Sequence, residues 1–331
     1  MVGLPGAGTT TLFTALTAVE GAAGTRTHQA VVPVPDKRLL VLGELHASKK
    51  LVYTQLRFVE TSGMVRRGAR GGGSLPAELL GHLREADALL CVVRAFGADA
   101  DPASEYADLT LELTLADLAV AEAKLQRGSK AAKGGDAEAK RELEAVDKAK
   151  TVLEAGTPLR EATWETEERK ALANFAPLTL KPVIIVACSD PDAGVKIPDD
   201  AIAVASALEA EVAGMDDADA AELLAGYGIA ERGLAQVIRE AYDRLNLLTF
   251  LTAGEKESRA WEIPAGATAQ EAAGAIHSDI ARGFIRAEII AYDALVEAGG
   301  WDAAKKKGLI RAEGKEYLMR EGDVVEYRFA V

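Results

Sequence analysis

The chain has 331 residues and, at 49% hydrophobic and 27% charged, enough apolar material for ordinary packed cores, two or three domains at this length. No apolar run approaches the roughly 18 residues of a membrane span, and the glycine-rich start lacks the basic-then-apolar pattern of a secretory leader. The net charge of −13 is uneven: residues 1–97 carry 11 Lys/Arg against 7 Asp/Glu, 98–245 carry 16 against 30, and 246–331 carry 11 against 14. A polyanion would therefore meet the first third more readily than the acidic middle.

Gly3 and Gly8 enclose Leu4, Pro5, Gly6 and Ala7, and are followed by Thr9, Thr10 and Thr11. A phosphate-binding loop needs two glycines at this spacing, then Lys, then Ser or Thr. The backbone N–H groups cradle phosphate, the ammonium reaches the β- and γ-phosphates, and the hydroxyl holds Mg²⁺. Thr10 supplies the hydroxyl, but Thr9 stands where the ammonium belongs. Such a loop also follows a buried strand, and only Met1 and Val2 precede Gly3. Two readings fit: the first strand lies upstream of this Met, or the protein lacks it. A flexible Gly/Ala/Thr-rich terminus is the plain alternative.

Residues 11–19 space their apolar side chains as a helix does. Segment 51–61 alternates and is rich in Val, Tyr, Phe and Thr, which predicts one strand. The short apolar runs 88–95, 182–188 and 201–206 suit strands buried on both faces of a parallel sheet. With helical stretches between them they predict a doubly wound α/β layer. Residues 105–175 carry no strand signal. Leu and Ala recur at three and four, Lys and Glu alternate over 124–150, and Gly134-Gly135 breaks the pattern once. This predicts an acidic helical hairpin projecting from the layer, either a spacer or a partner-binding arm. From 246 the pattern changes to strands at 247–253, 259–263, 316–320 and 324–329, a helix over 269–280, and a tight turn at Gly322-Asp323. A small mixed domain over 246–331 follows.

Cys91 and Cys188 lie in apolar runs and read as reduced core thiols rather than a disulfide. Arg66, Arg67 and Arg70, with glycines at 68 and 71–73, make an anion-seeking loop suited to phosphate from a nucleotide or from RNA. Lys305, Lys306, Lys307, Arg311 and Lys315 form a second basic cluster, diluted by Glu313 and Glu316. His82 and His277 read as packing or surface residues.

The order of these pieces resembles the YchF / Obg-like ATPase family of P-loop NTPases. The likeness is most specific at NLLTFLTAGEKESRAWEIPAGATAQEAAGAIHSDIARGFIRAEIIAY (246–292) and RAEGKEYLMREGDVVEYRFAV (311–331), which look like the family's TGS domain. VVPVPDKRLLVL (31–42) resembles the segment after its first switch. The resemblance implies a nucleotide domain over 1–104 and 176–245, an inserted helical arm over 105–175, and a β-grasp TGS-like domain over 246–331. It implies ATP in preference to GTP, Mg²⁺, a cytoplasmic setting, and association with the ribosome or a related RNA–protein complex. No membrane or DNA partner is expected.

Carried across residue by residue, the family's chemistry is incomplete. Its loop reads G-x-P-N-x-G-K-[ST]-T. Gly3, Pro5, Gly8, Thr10 and Thr11 match, whereas Gly6 replaces Asn and Thr9 replaces Lys. A neutral hydroxyl cannot balance charge developing on a transferring phosphoryl group, a loss of several kcal/mol. The D-x-x-G motif appears as Glu60-Thr61-Ser62-Gly63, so Glu60, one methylene longer than Asp, is the candidate Mg²⁺ carboxylate beside Thr10. Met64 follows, apolar as in the family. The base-reading N-x-x-E falls at Cys188-Ser189-Asp190-Pro191, and neither Cys188 nor Pro191 reproduces its hydrogen bonds; Asp190 or Asp192 would serve only from a shifted loop. Gly24 takes the switch I threonine position, with Thr25 and Thr27 nearby. The loop over 97–105, where the family's proposed catalytic histidine would lie, holds no His. No catalytic residue is assigned. These changes together predict a pseudoenzyme: a family member that keeps its fold, hydrolyses nucleotide weakly or not at all, and acts as a binding module. The alternative is an active ATPase or GTPase with Arg66, Arg67 or Arg70 replacing the lysine.

Overall fold

The computed structural model describes residues 1–17, 28–61, 75–131, 137–191 and 194–330, with the side chains at 129–131, 137 and 217 also left out. Gly63, Met64, Arg66, Arg67 and Arg70, as well as Gly24, Thr25, Thr27, Asp192 and the Gly134-Gly135 break, lie outside the described residues.

In chain order the elements are β1 (Val2–Gly3), α1 (Thr9–Thr17), β2 (His28–Pro33), α2 (Lys37–Leu45), β3 (Leu51–Val52), β4 (Gln55–Glu60), α3 (Ala77–Glu85) and β5 (Leu89–Ala95). Next come α4 (Pro102–Ala131), α5 (Ala137–Glu154), α6 (Thr166–Ala173), β6 (Val183–Ser189), β7 (Ala201–Val204), α7 (Ser206–Glu211), α8 (Asp217–Gly226) and α9 (Gly233–Arg244). The chain ends with β8 (Leu247–Thr252), β9 (Ser258–Pro264), α10 (Ala269–Ile276), α11 (Ser278–Arg282), β10 (Phe284–Ala291), α12 (Tyr292–Ala298), α13 (Trp301–Lys306), β11 (Arg311–Glu313) and β12 (Asp323–Phe329). Two compact units result, Met1–Ala30 with Phe58–Val237 and Val31–Arg57 with Ile238–Val331.

The first unit holds a parallel sheet in the order β1-β5-β6-β7. Leu89, Cys91, Val93, Ile185 and Ala187 pack against Leu79 and Leu83 of α3 and Leu109 and Leu113 of α4. Leu90, Val92, Ile184 and Val186, alternating with them, are buried as well. Burial on both faces is what the unbroken apolar runs require. Both thiols are buried and free. β1 is a strand of two residues: Val2 and Gly3 pair with Cys91 and Val92, and the Met1 carbonyl accepts from Thr61 N (3.3 Å) and Thr61 Oγ1 (2.8 Å). The loop is therefore anchored by a strand that the sequence alone did not reveal.

Helices α4 and α5 pack along each other through Ala121, Leu125, Ala145, Val146, Ala149 and Leu153, and Gly128 leaves no room for a Cβ against Leu143. Asp117 ties this pair to the layer. Fully buried, it accepts from Leu178 N (2.9 Å), Thr179 N (2.7 Å) and Thr179 Oγ1 (2.8 Å). Burial raises its carboxyl above the usual range against those hydrogen bonds.

The second unit is a mixed sheet in the order β11-β10-β12-β8-β9-β3. Phe250, Ile263, Ile289 and Val325 meet Ala269, Ala272 and Ala273 of α10, while Leu251, Ala260, Ile290 and Val324 meet Leu39 and Leu42 of α2 and Leu295 of α12. Period-2 alternation thus feeds two cores. Three expectations change here. Segment 51–61 is not one strand: it divides at Tyr53-Thr54 into β3, which pairs with β9, and β4, which runs into the first unit. Residues 316–320 form no ladder, because Tyr317 O and Met319 N bond Ala269 N (2.8 Å) and Ala267 O (3.0 Å) beside α10. Helix 269–280 breaks at His277, which is extended (φ −165°) and whose Nδ1 accepts from Asp279 N (3.1 Å) to cap α11. Strands β10 and β11 had no sequence forecast, the charges of Arg286 and Glu288 obscuring the first.

Those charges are paired. Glu288 accepts from Arg286 Nη2 (2.7 Å) and Arg328 Nη2 (2.9 Å), and Arg328 with Arg286 depress its carboxyl from 4.5 to about 2. A depressed acid stabilises the fold above its unfolded pKa, and that contribution disappears as pH falls through the folded value. Stability should therefore decline between about pH 4.5 and pH 2. Glu288→Gln is expected to flatten that part of a thermal-unfolding pH profile; an unchanged slope would contradict it.

Candidate functional site

Three turns of backbone chemistry build the loop. Gly6 and Gly8 adopt φ +85° and +93°, Ala7 N bonds Leu4 O (3.0 Å), and α1 begins at Thr9, with Leu12 N bonded to Gly8 O (2.9 Å). A Cβ on Gly3 would stand 2.7 Å from Val92 O and 2.8 Å from Thr9 Oγ1, so only glycine allows β1 to run into the loop. The result is a strand–loop–helix whose helix N-terminus favours an anion. Pro5 and Gly6 are exposed and Ala7 is buried beneath them. The Thr9 hydroxyl oxygen is turned toward Gly3.

The two threonines differ in what they reach. Thr10 Oγ1 donates to Glu60 Oε1 at 2.5 Å, bringing the two expected metal donors together although 50 residues separate them. Glu60 is 3% exposed, and its second oxygen lies 3.2 Å from His28 Nδ1. His28, at the start of β2, was not picked out from sequence; no spacing motif marks it, and its role emerges only from the fold. Mg²⁺ usually takes one or two carboxylates and keeps waters for the rest, and Thr10 with Glu60 fits that pattern. Among the described residues no group of three or more His, Cys, Asp or Glu could hold a metal ion.

At the base-reading position, Cys188 is buried on β6 directly against the loop. A Cβ on Gly8 would lie 3.1 Å from both Cys188 Cβ and Sγ. Burial pushes the thiol up to about 11, with a Ser206 hydrogen bond opposing. Its polar contact to the loop is a long one, Sγ to Gly8 O at 3.9 Å. Pro191 and Asp190 are exposed beyond the strand end. Arg94, on β5 past the loop's partner Val92, is already held by Asp99 (2.9 Å) and Glu105 (3.4 Å). His82 sits half-buried on α3. A separate groove of about 640 Å³ opens between α4 and α5 beside Val120, Ala123 and Leu143, with the Lys124–Glu142 pair at its wall.

The glycines supply a test. Gly6→Ala meets nothing within 4 Å, whereas Gly8→Ala adds contact with Cys188 to the same left-handed strain. Strain of this kind costs on the order of 1–3 kcal/mol. Gly8→Ala should lower the urea midpoint more than Gly6→Ala; equal shifts would contradict this packing.

Residues 247–330 match the family model YchF-GTPase_C, described as a protein of unknown function (DUF933). Over its whole length the chain is 39% identical to the "Ribosome-binding ATPase YchF" of Haemophilus influenzae, 38% to that of Escherichia coli O157:H7 and 37% to that of Bacillus subtilis, covering 98% of each. The solved Schizosaccharomyces pombe YchF GTPase superposes with a TM-score of 0.86 at 28% identity, covering 99% of this chain and 96% of that one.

Proposed function

The chain belongs to the YchF family, and on that premise we propose that it is a ribosome-associated binding module of P-loop ancestry whose nucleotide hydrolysis is weak or lost. The reading rests on one observation: the loop keeps its backbone form, yet Thr9 occupies the position of the phosphate-binding cation and its hydroxyl turns toward Gly3. Without a positive side chain there, the γ-phosphate loses the contact that strengthens as charge develops. Glu60 in place of Asp and buried Cys188 in place of Asn support the same reading. We assign a P-loop NTPase fold to the segments 1–104 and 176–245, partner contact to the arm 105–175 and the TGS-like segment 246–331, and a cytoplasmic setting; among the described residues no helix is long and apolar enough to cross a membrane.

A second reading is favoured by the retained loop and by the Thr10–Glu60 convergence. In it ATP or GTP still binds with Mg²⁺, Thr10 and Glu60 hold the ion, and Arg66, Arg67 or Arg70 supplies the missing charge. Mg²⁺ held by Thr10 and Glu60 would supply positive charge to the phosphates.

Co-sedimentation with ribosomes tests the first reading: association should persist in nucleotide-free buffer, and its absence under every nucleotide condition would overturn it. Phosphate release well above a buffer blank and lost in Arg70→Ala would establish the second.

A further inference from the structure

Glu60 has both oxygens engaged, Oε1 by Thr10 Oγ1 at 2.5 Å and Oε2 by His28 Nδ1 at 3.2 Å. The three side chains come from the first turn of α1, the start of β2 and the end of β4. Phe13 flanks the imidazole, with ring centroids 6.2 Å apart. Glu60 is buried while His28 keeps a side-chain exposure of 26%, so an ion has access from the imidazole side.

We propose that Thr10, Glu60 and His28 form a protein-held site for a first-row divalent transition-metal ion, with His28 Nδ1 as its nitrogen ligand. Donors that are neighbours around an octahedral ion with bonds of about 2.1 Å stand roughly 3 Å apart. The observed separations of 2.5 and 3.2 Å lie on either side of that value, one at each carboxylate oxygen, so an ion held by both oxygens of Glu60 would have Thr10 Oγ1 and His28 Nδ1 as the neighbouring donors. A hydroxyl and a carboxylate suit Mg²⁺ and Mn²⁺, but an imidazole nitrogen moves preference toward Fe²⁺, Ni²⁺ and Zn²⁺, with Mn²⁺ as the paramagnetic probe of the same donors. A third protein ligand also leaves fewer positions for phosphate oxygens, making the ion a resident of the protein rather than a passenger of the nucleotide. The inference rests on reading Thr10 and Glu60 as the loop's metal donors and requires no nucleotide.

Electron paramagnetic resonance of nucleotide-free, full-length protein titrated with Mn²⁺ tests it. A single site per chain is expected, with ¹⁴N modulation in the spin echo from a bound imidazole and displacement by Zn²⁺ at lower concentration than by Mg²⁺. His28→Ala should weaken Mn²⁺ at least about tenfold and abolish the modulation, whereas His277→Ala should change neither. Thermal unfolding of His28→Ala without metal establishes that the variant is folded. No bound Mn²⁺, bound Mn²⁺ without nitrogen modulation, or modulation surviving His28→Ala would each overturn the site and leave a simple imidazole–carboxylate hydrogen bond. Ribosome co-sedimentation is read separately, so failure of the metal site and failure of the binding-module reading are distinguishable.

Discussion

Thr9→Lys is expected to tighten ATP·Mg²⁺ binding by about 2–4 kcal/mol, roughly 30- to 700-fold. The loop that would receive the lysine is already formed: glycines 6 and 8 take positive φ, and α1 starts at position 9. The loop itself lacks the mobile charge, and a charge-assisted contact to phosphate contributes more than an exposed surface pair. Thr9→Val, of similar size and uncharged, should leave affinity unchanged. Hydrolysis should remain slow in Thr9→Lys, because the lysine alone restores neither the Asp carboxylate nor the base-reading Asn. Titration calorimetry of the three proteins checks the ordering; equal affinity for wild type and Thr9→Lys would show that the charge is supplied elsewhere.

The largest stability effect is expected at Asp117. Replacing it with Ala strands Leu178 N–H, Thr179 N–H and the Thr179 hydroxyl at a buried contact. Each buried group left without a partner costs about 1–3 kcal/mol, so three stranded donors together cost several kcal/mol. Asp117→Asn retains an acceptor oxygen and should fall between wild type and Ala. Urea unfolding of the transition that reports the first unit measures this; a loss below about 1 kcal/mol for Asp117→Ala would mean that the arm is not tied down through this carboxylate.

How legible the molecule was depended on the range of the interaction. The runs at 88–95 and 182–188 announced buried parallel strands because a strand covered on both faces has no polar side to show. The glycine spacing from Gly3 to Gly8 announced the loop because Gly3 leaves no room for a Cβ against Val92 O and Gly8 takes a positive φ that favours glycine. Long-range partnerships were hidden. Alternation through 51–61 is continuous, yet the chain changes sheets in the middle of it, and periodicity carries no information about which sheet a strand joins. β10 was obscured because Arg286 and Glu288 neutralise each other and Arg328 across the ladder. At the site, sequence matching supplied Thr10, Glu60 and Cys188 singly; that Thr10 touches Glu60, that Cys188 underlies Gly8 and that His28 joins them are facts of tertiary structure. Arg66, Arg67 and Arg70 lie outside the described residues, and Arg70→Ala tests their relation to the loop.

On the proposed reading, the uncharged side chain of Thr9 leaves the pocket silent. The most direct measurement is titration of the wild-type protein with a slowly hydrolysed ATP analogue and Mg²⁺. Absence of saturable heat below about 1 mM, a binding free energy weaker than about −4 kcal/mol, is the expected result. One-to-one binding in the low micromolar range would contradict it, because the triphosphate would then be neutralised by a cation other than the one this loop has lost.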